Sequence, residues 1–446
     1  MNDPIDETIL ARNRQKIAFE RSKRDLRRIK SSVSFRIGVH LTTAIRKPWM
    51  LLLLPFTFPL LIFRMGLERL GRVEHPFENS EDGSVAIVPR NCVILFPTNG
   101  VGFGHFTRLY SVAKRLRRDD PHLEIVIFTT MPTLHLPYAD GFTTYHLAGR
   151  HKTSQMGAST WNTLVDEMLS LIIDIHKPKE FIFDGAYPYR GMLNSIADKT
   201  WFRKTWVRRG TFRKGSRIPV DSIRYFDLII HPQDVVEISQ NDLQHDVDVL
   251  MVPPITLIDR DEMWDGTKVR RRFGIPLDSR VAYVQLGAGR INDIDSEINH
   301  VISALLEEEN LHIVLGESML GDRLDIDLER VHVLRDYPNS IYLNGFDFSI
   351  QAGGYNSFHE MRKMAMPTLF LPNLNTGMDD QVTRCEKAVS EGWGLVNLDR
   401  SREGIRQDIT SLLSFDREES NQDVGENGAD VISSHLLSHK TIDVLP

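Results

Sequence analysis

"NCVILFPTNGVGFGHFTRLYSVAKRL", residues 91–116, passes from an apolar run through a glycine-rich turn into an amphipathic segment. The order implies a strand, a tight turn and a helix N-terminus, with His105 at the join. A dinucleotide fingerprint would read G-x-G-x-x-G. Here the glycines are Gly100, Gly102 and Gly104, and His105 holds the place of the third fingerprint glycine. No lysine followed by serine or threonine closes the loop, so a Walker A cradle is excluded. The loop instead offers close backbone approach beside an ionisable ring.

Outward from this stretch, short apolar runs alternate with helical patterns, as in parallel βαβ units. In residues 91–252 the expected strands are "CVILFP", "LEIVIFTT", "EFIFDG", "KTWVRR" and "FDLIIHP", with helices near 105–118, 159–176 and 188–199. "DVLMVPPITLIDRDEM" reads as a connector. Residues 253–415 repeat the pattern, with "RVAYVQLG", "LHIVLGE", "RVHVL", "FDFSIQAGG", "PTLFLP" and "GWGLVNL" as strands. Helices are expected near 293–308, 354–365, 379–391 and 401–414. The fold class is α/β, with two Rossmann-like doubly wound domains facing a cleft. Ligands of such sheets bind outside the carboxyl ends of the strands.

The chain has 446 residues, 41% hydrophobic and 26% charged, with a net charge of −6, which argues against a dedicated nucleic-acid binder. Cys92 and Cys385 lack metal-ligand spacing and suit a reducing compartment. "DID" at 293–295 and 325–327 and "DVD" at 246–248 are too common by chance to indicate a metal, so none is expected, nor any cofactor. Residues 1–90 are read as an extension and linker. Twelve bases between Arg12 and Lys47 face only Glu20 and Asp25, and "PWMLLLLPFTFPLLIF", 48–63, holds sixteen residues without a charge. Interrupted by Pro55 and Pro59 and short of the about 20 residues of a spanning helix, it reads as an interfacial anchor on an anionic membrane surface. A core-packing segment is the alternative. Residues 416–446 read as a polar, mobile tail.

The second domain carries the sharper motif, "QAGGYNSFHEMRKMAMPTLFLPNLNTGMDDQ", 351–381. Gly353 and Gly354 form a turn, and Asn356 and Ser357 open a helix, whose free amides favour phosphate. Glu360 follows over one helical turn later, where a carboxylate accepts from a ribose hydroxyl. Asp380 and Gln381 start the next helix, placed for sugar hydroxyls. Each residue alone has a structural explanation in turn, cap or helix start; the ordered set points to a nucleotide diphosphate sugar.

"GYNSFHE" with the downstream "DDQ" resembles the donor signature of GT-B glycosyltransferases of the UDP-glucuronosyltransferase and MurG types. "GVGFGHFTR" is similar to the MurG-type glycine loop. The resemblance spans about residues 91–415. It implies a UDP-type donor, with Gly354, Asn356 and Ser357 at the diphosphate, Glu360 at the ribose, and Asp380 with Gln381 at the sugar. Gly353 belongs to the same donor turn. "LGAGRIND", 286–293, matches a phosphate-approaching loop, with Gly287 and Gly289 for close approach and Arg290 for charge. "VLRDYPN", around Arg335 and Tyr337, falls at the base-binding segment. Two departures stand out. Relatives usually carry a histidine where this chain has Ala352, and the longer segment before Gln381 leaves the Asp380/Gln381 register open by one residue.

Histidine is a suitable base for a sugar hydroxyl, so His105 is the expected catalytic residue, and Asp184, ending "FIFDG", its orienting partner or an acceptor ligand. Gly102, Gly104 and Arg108 are assigned to the acceptor side. The expected protein is an inverting glycosyltransferase at the cytoplasmic face of the cell membrane. Its partners would be a nucleotide sugar and a lipid-linked or glycan acceptor of envelope or capsular synthesis. A sugar-nucleotide hydrolase or 2-epimerase of the same fold, and a non-catalytic envelope-assembly scaffold, are the alternatives.

Overall fold

The computed structural model describes residues 29–30, 32–69, 87–98, 102–150, 156–212, 222–238, 246–287, 294–319, 326–376, 379–415 and 425–438. The chain forms two compact units, Met1–Ala86 and Ile87–Pro446.

In the first unit, helix α1 (Val33–Arg46) is capped by Ser32, whose hydroxyl accepts from the Phe35 amide at 3.2 Å. Helix α2 (Pro48–Arg69) packs on α1. Arg36 pairs with both carboxylate oxygens of Glu68, at 2.5 and 3.1 Å, and His40 Nε2 lies 3.1 Å from Thr57 Oγ1. Pro55 and Pro59 lie inside α2, so the expected interruption is corrected. Each proline removes a single donor, and the flanking i→i−4 bonds carry the helix through. Pro48–Glu68 is long and apolar enough to cross a membrane, by length and composition. Trp49, Leu52, Phe56, Leu60 and Phe63 are exposed along it.

The second unit holds two parallel sheets. The first comprises β1 (Cys92–Pro97), β2 (Glu124–Thr129), β3 (Thr143–His146), β4 (Glu180–Asp184), β5 (Arg203–Val207), β6 (Leu228–Pro232) and β7 (Asp248–Val252), in spatial order 3-2-1-4-5-6-7. The second comprises β8 (Arg280–Gln285), β9 (Leu311–Gly316), β10 (Val331–Leu334), β11 (Phe348–Gln351), β12 (Thr368–Phe370) and β13 (Gly394–Val396), in order 10-9-8-11-12-13. Both follow the doubly wound scheme, which opens a crevice where the strand order reverses. That point lies between β1 and β4 in one sheet and between β8 and β11 in the other.

Helices cover both faces, which is why the strands are continuously apolar. Along β1, Val93 and Leu95 join a core with helix α3 (Gly104–Asp119), while Cys92, Ile94 and Phe96 face a second core with α5 (Ala158–His176). A short helix α4 (His135–Ala139) precedes β3. Beyond α5 come α6 (Arg190–Ile196), α7 (Gly266–Phe273), α8 (Ile294–Leu305), α9 (Tyr355–Lys363), α10 (Gln381–Ser390) and α11 (Arg402–Leu412).

Two expectations change. Asp248–Val252, read as connector, is the largely exposed edge strand of the first sheet; its apolar run is followed at once by Pro253 and Pro254, which end the strand. The segment read as a polar tail contains helix α12 (Gly428–Ser438), whose Ala429, Ile432 and Leu436 are buried in the core of the first sheet beside α3. Those residues are separated by a helical spacing that places them on one face, hidden in a stretch whose overall composition is polar.

Candidate active site

His105 occupies the first turn of α3, directly after β1, and Asp184 is the last residue of β4. Pro97 and Asp184 are ladder partners across the switch point, so chain topology alone brings the two side chains to one edge. His105 Nδ1 lies 2.6 Å from Asp184 Oδ1, and Arg108 donates to both Asp184 oxygens, from Nε at 2.9 Å and from Nη2 at 2.7 Å. Burial raises the Asp184 carboxyl, but Arg108 and His105 overcome this and hold it below its ordinary value. An ionised Asp184 therefore accepts from Nδ1–H of His105. That sets the tautomer and leaves Nε2 as the basic nitrogen. Burial lowers the His105 pKa; Asp184 offsets part of this, and Arg108 and Arg209 add to it. The ring is neutral near pH 7 and can take a proton.

Asp184 is thus fully engaged by His105 and Arg108, the geometry of an orienting partner. Arg108, expected to contact acceptor or phosphate, is 3% exposed in its side chain and engaged with Asp184. Gly102 and Gly104 border the open side of the loop, where an added Cβ at Gly102 would meet no atom within 4 Å.

Across the cleft, Gly354 precedes α9, and an added Cβ there would also meet open space. Asn356 Oδ1 is buried with no hydrogen-bond partner among the described residues, as are both amide atoms of Gln351, the fully buried last residue of β11. Ser357 lies in the first turn of α9. Glu360, one turn on, has its carboxyl pushed up to about 7 by burial. Gly287 follows β8 with φ +100°, a left-handed conformation that favours glycine. Gly289 and Arg290 lie outside the described residues.

The halves meet around this cleft. Thr107 Oγ1 is 2.8 Å from the Tyr337 hydroxyl, and the Tyr355 hydroxyl donates to the Gln233 carbonyl at 3.1 Å.

No family model and no curated protein matches the sequence. Solved structures do match its shape. The glycotransferase of kitacinnamycin aligns with a TM-score of 0.55 at 13% identity, over 78% of this chain and 98% of its own. CalG4, the calicheamicin glycosyltransferase, aligns with 0.54 at 15%, over 78% and 98%. UDP-GlcNAc 2-epimerase from Methanocaldococcus jannaschii aligns with 0.53 at 12%, over 78% and 99%. The chain has the GT-B fold.

Within this GT-B body, two donor assignments shift. Gly353 belongs to packing: a Cβ there would lie 2.3 Å from Cys385 Sγ, so glycine lets α10 approach the turn before α9. Asp380 caps α10, accepting from the Thr383 amide at 3.1 Å, and it is Asp379 that enters the polar cluster at the cleft. The register moves by one residue because the capping site takes the second aspartate. Gln381 stays beside it, with its Nε2 donating to Asp379 Oδ2 at 3.3 Å and its Oε1 accepting from the Asn373 amide at 2.9 Å.

That cluster was missed in the sequence reading. Arg384 Nη2 lies 2.7 Å from Asp379 Oδ1 and 2.7 Å from Asp234 Oδ2, and Arg209 Nη1 donates to Asp379 Oδ1 at 3.1 Å. His359 Nε2 lies 3.3 Å from Asp234 Oδ1. Burial raises both carboxyls, but the His359 hydrogen bond and Arg384 at Asp234, and Arg209 and Arg384 at Asp379, hold them far below the carboxylate range. The available signal was slight: polar residues directly after β5 and β6, in "VRRG" and "HPQD", at the carboxyl edge where ligands of this fold gather.

Proposed function

We propose that the protein is a membrane-associated inverting glycosyltransferase that moves a sugar from a UDP-type donor to a lipid-linked or polysaccharide acceptor in envelope or capsular glycan synthesis. The observation that carries this reading is the His105–Asp184–Arg108 constellation at one switch point, opposite the glycine turn and α9 at the other. In this reaction Nε2 of His105 removes the acceptor hydroxyl proton. The oxygen attacks the anomeric carbon from the face opposite the nucleotide, and the bond to the β-phosphate oxygen breaks with its electron pair. UDP leaves and the configuration inverts. Asp184 stabilises the imidazolium as it forms, and Arg108 holds Asp184 in place. The N-terminal amides of α9 face the diphosphate, and Glu360 takes the ribose. Unpartnered polar atoms on Gln351 and Asn356 support a polar ligand at this end of β11.

The apolar helix α2 and the basic segment before it support the membrane and lipid-acceptor parts of the reading. The 2-epimerase neighbour favours a second reading, in which the same cleft converts a sugar nucleotide with no acceptor. A thermal-shift screen of the full chain against UDP-, GDP-, dTDP- and CDP-sugars identifies the donor. Incubation with that donor then separates the two readings. Sugar transfer that requires a glycan acceptor supports the transferase, while epimerised or free sugar formed without one supports the alternative.

A further inference from the structure

A departing nucleoside diphosphate gains negative charge on its outer phosphate, and helix-start amides supply only partial positive charge against it. Beside the donor turn this chain has the uncharged Ala352. Arg290, expected at the phosphates, lies outside the described residues, and within them Arg209 offers a full charge. Arg209 follows β5 in the half that carries His105, and its side chain is 21% exposed. Its guanidinium carbon lies 5.3 Å from the ring centroid of Tyr355, the first residue of α9, and Arg108 lies 5.5 Å from the same ring. Arg209 thus lies against the first residue of α9, on the same ring as the Arg108 that holds Asp184. Only Nη1 is hydrogen-bonded among the described residues, to Asp379 at 3.1 Å. Asp379 also holds Arg384 at 2.7 Å, so it stays paired when Arg209 turns to a ligand.

Resting on the glycosyltransferase reading above, we propose that Arg209 is a catalytic residue whose guanidinium binds the outer phosphate of the donor and neutralises the charge released as the bond to the anomeric carbon breaks. The electron pair of that bond goes to the phosphate oxygen that Arg209 faces, while the acceptor proton goes to His105.

Calorimetry of the full chain with UDP and with UMP tests this, since only UDP carries the outer phosphate. Wild type is expected to bind UDP more tightly than UMP. Arg209→Gln is expected to lose about tenfold to a hundredfold for UDP, the loss typical of a charge-assisted contact, with UMP affinity unchanged. Arg209→Lys keeps a point charge and is expected to retain part of the preference for UDP. The charges facing His105 are Asp184, Arg108 and Arg209, so Arg209→Gln also moves the acid limb of the rate to higher pH. Equal losses for UDP and UMP in both variants, or wild-type UDP binding in Arg209→Gln, would overturn the proposal and leave a structural pair with Asp379. If wild type binds none of UDP, dTDP and GDP, the nucleotide reading itself fails, and the role of Arg209 with it.

Discussion

Arg384 and Asp234 form a fully buried ion pair between the two halves of the GT-B body, with Nη2–Oδ2 at 2.7 Å and Nε 3.1 Å from each carboxylate oxygen. Arg384 belongs to α10 below the second sheet, and Asp234 follows β6 of the first. Two desolvated charges in bidentate geometry favour one relative placement of the two halves that carry His105 and Glu360.

Removing one partner leaves the other charged and buried, which typically costs about 3–5 kcal/mol. Arg384→Ala is therefore expected to lower the unfolding temperature clearly at pH 7. The folded pKa of Asp234 is depressed, so its pairing contributes fully above the ordinary carboxylate range and is lost only well below it. In the variant Asp234 keeps the His359 contact but loses the Arg384 charge, so acid neutralises it at a higher pH than in wild type. The stability deficit should therefore shrink as pH falls, as scanning calorimetry across pH would show; a deficit that grows in acid would contradict this account.

His105→Ala is expected to reduce turnover by about 10²–10⁴-fold while leaving most UDP affinity intact, because the base belongs to the half opposite the donor turn. Parallel kinetics and calorimetry make the comparison. A variant that loses UDP binding as severely as turnover would make His105 a donor ligand.

The rate is expected to fall in acid with a midpoint below the ordinary histidine value of 6.5, since His105 loses its basic form on protonation and its pKa is lowered. Asp184 raises that pKa, so Asp184→Asn should move the acid limb to still lower pH. A shift toward higher pH would remove Asp184 as the partner of the base.

Glu360 begins with its carboxyl near 7, and only the ionised form accepts from two ribose hydroxyls. UDP affinity should rise with pH through about 7 and then level off. Glu360→Gln should flatten this dependence, and Glu360→Ala should cost about 1.5–3 kcal/mol in calorimetry.

A chain beginning at Ile87 is expected to stay in solution and to bind UDP as the full chain does. The full chain should float with anionic vesicles and less with neutral ones, through the bases before α2. Equal flotation with both would remove the electrostatic part, and none would remove the membrane role.

Two doubly wound sheets, the histidine at the start of α3 and the glycine turn before α9 follow from local pattern in the sequence. Apolar runs bounded by turns make buried parallel strands, and a glycine turn before an amphipathic run marks a helix start that faces the carboxyl edge. Such features depend on neighbours within a few residues, so periodicity and turn chemistry reveal them. Whether Asp379 or Asp380 faces the cleft was decided by competition for the cap of α10, which depends on where that helix begins. Arg209 and Asp234 of one half meet Asp379 and Arg384 of the other only because the two halves face each other. The same holds for α12, whose apolar face has meaning only against the core of the first sheet. Long-range pairing leaves no periodic trace in the chain, and it is the tertiary structure that decided which charges surround the site.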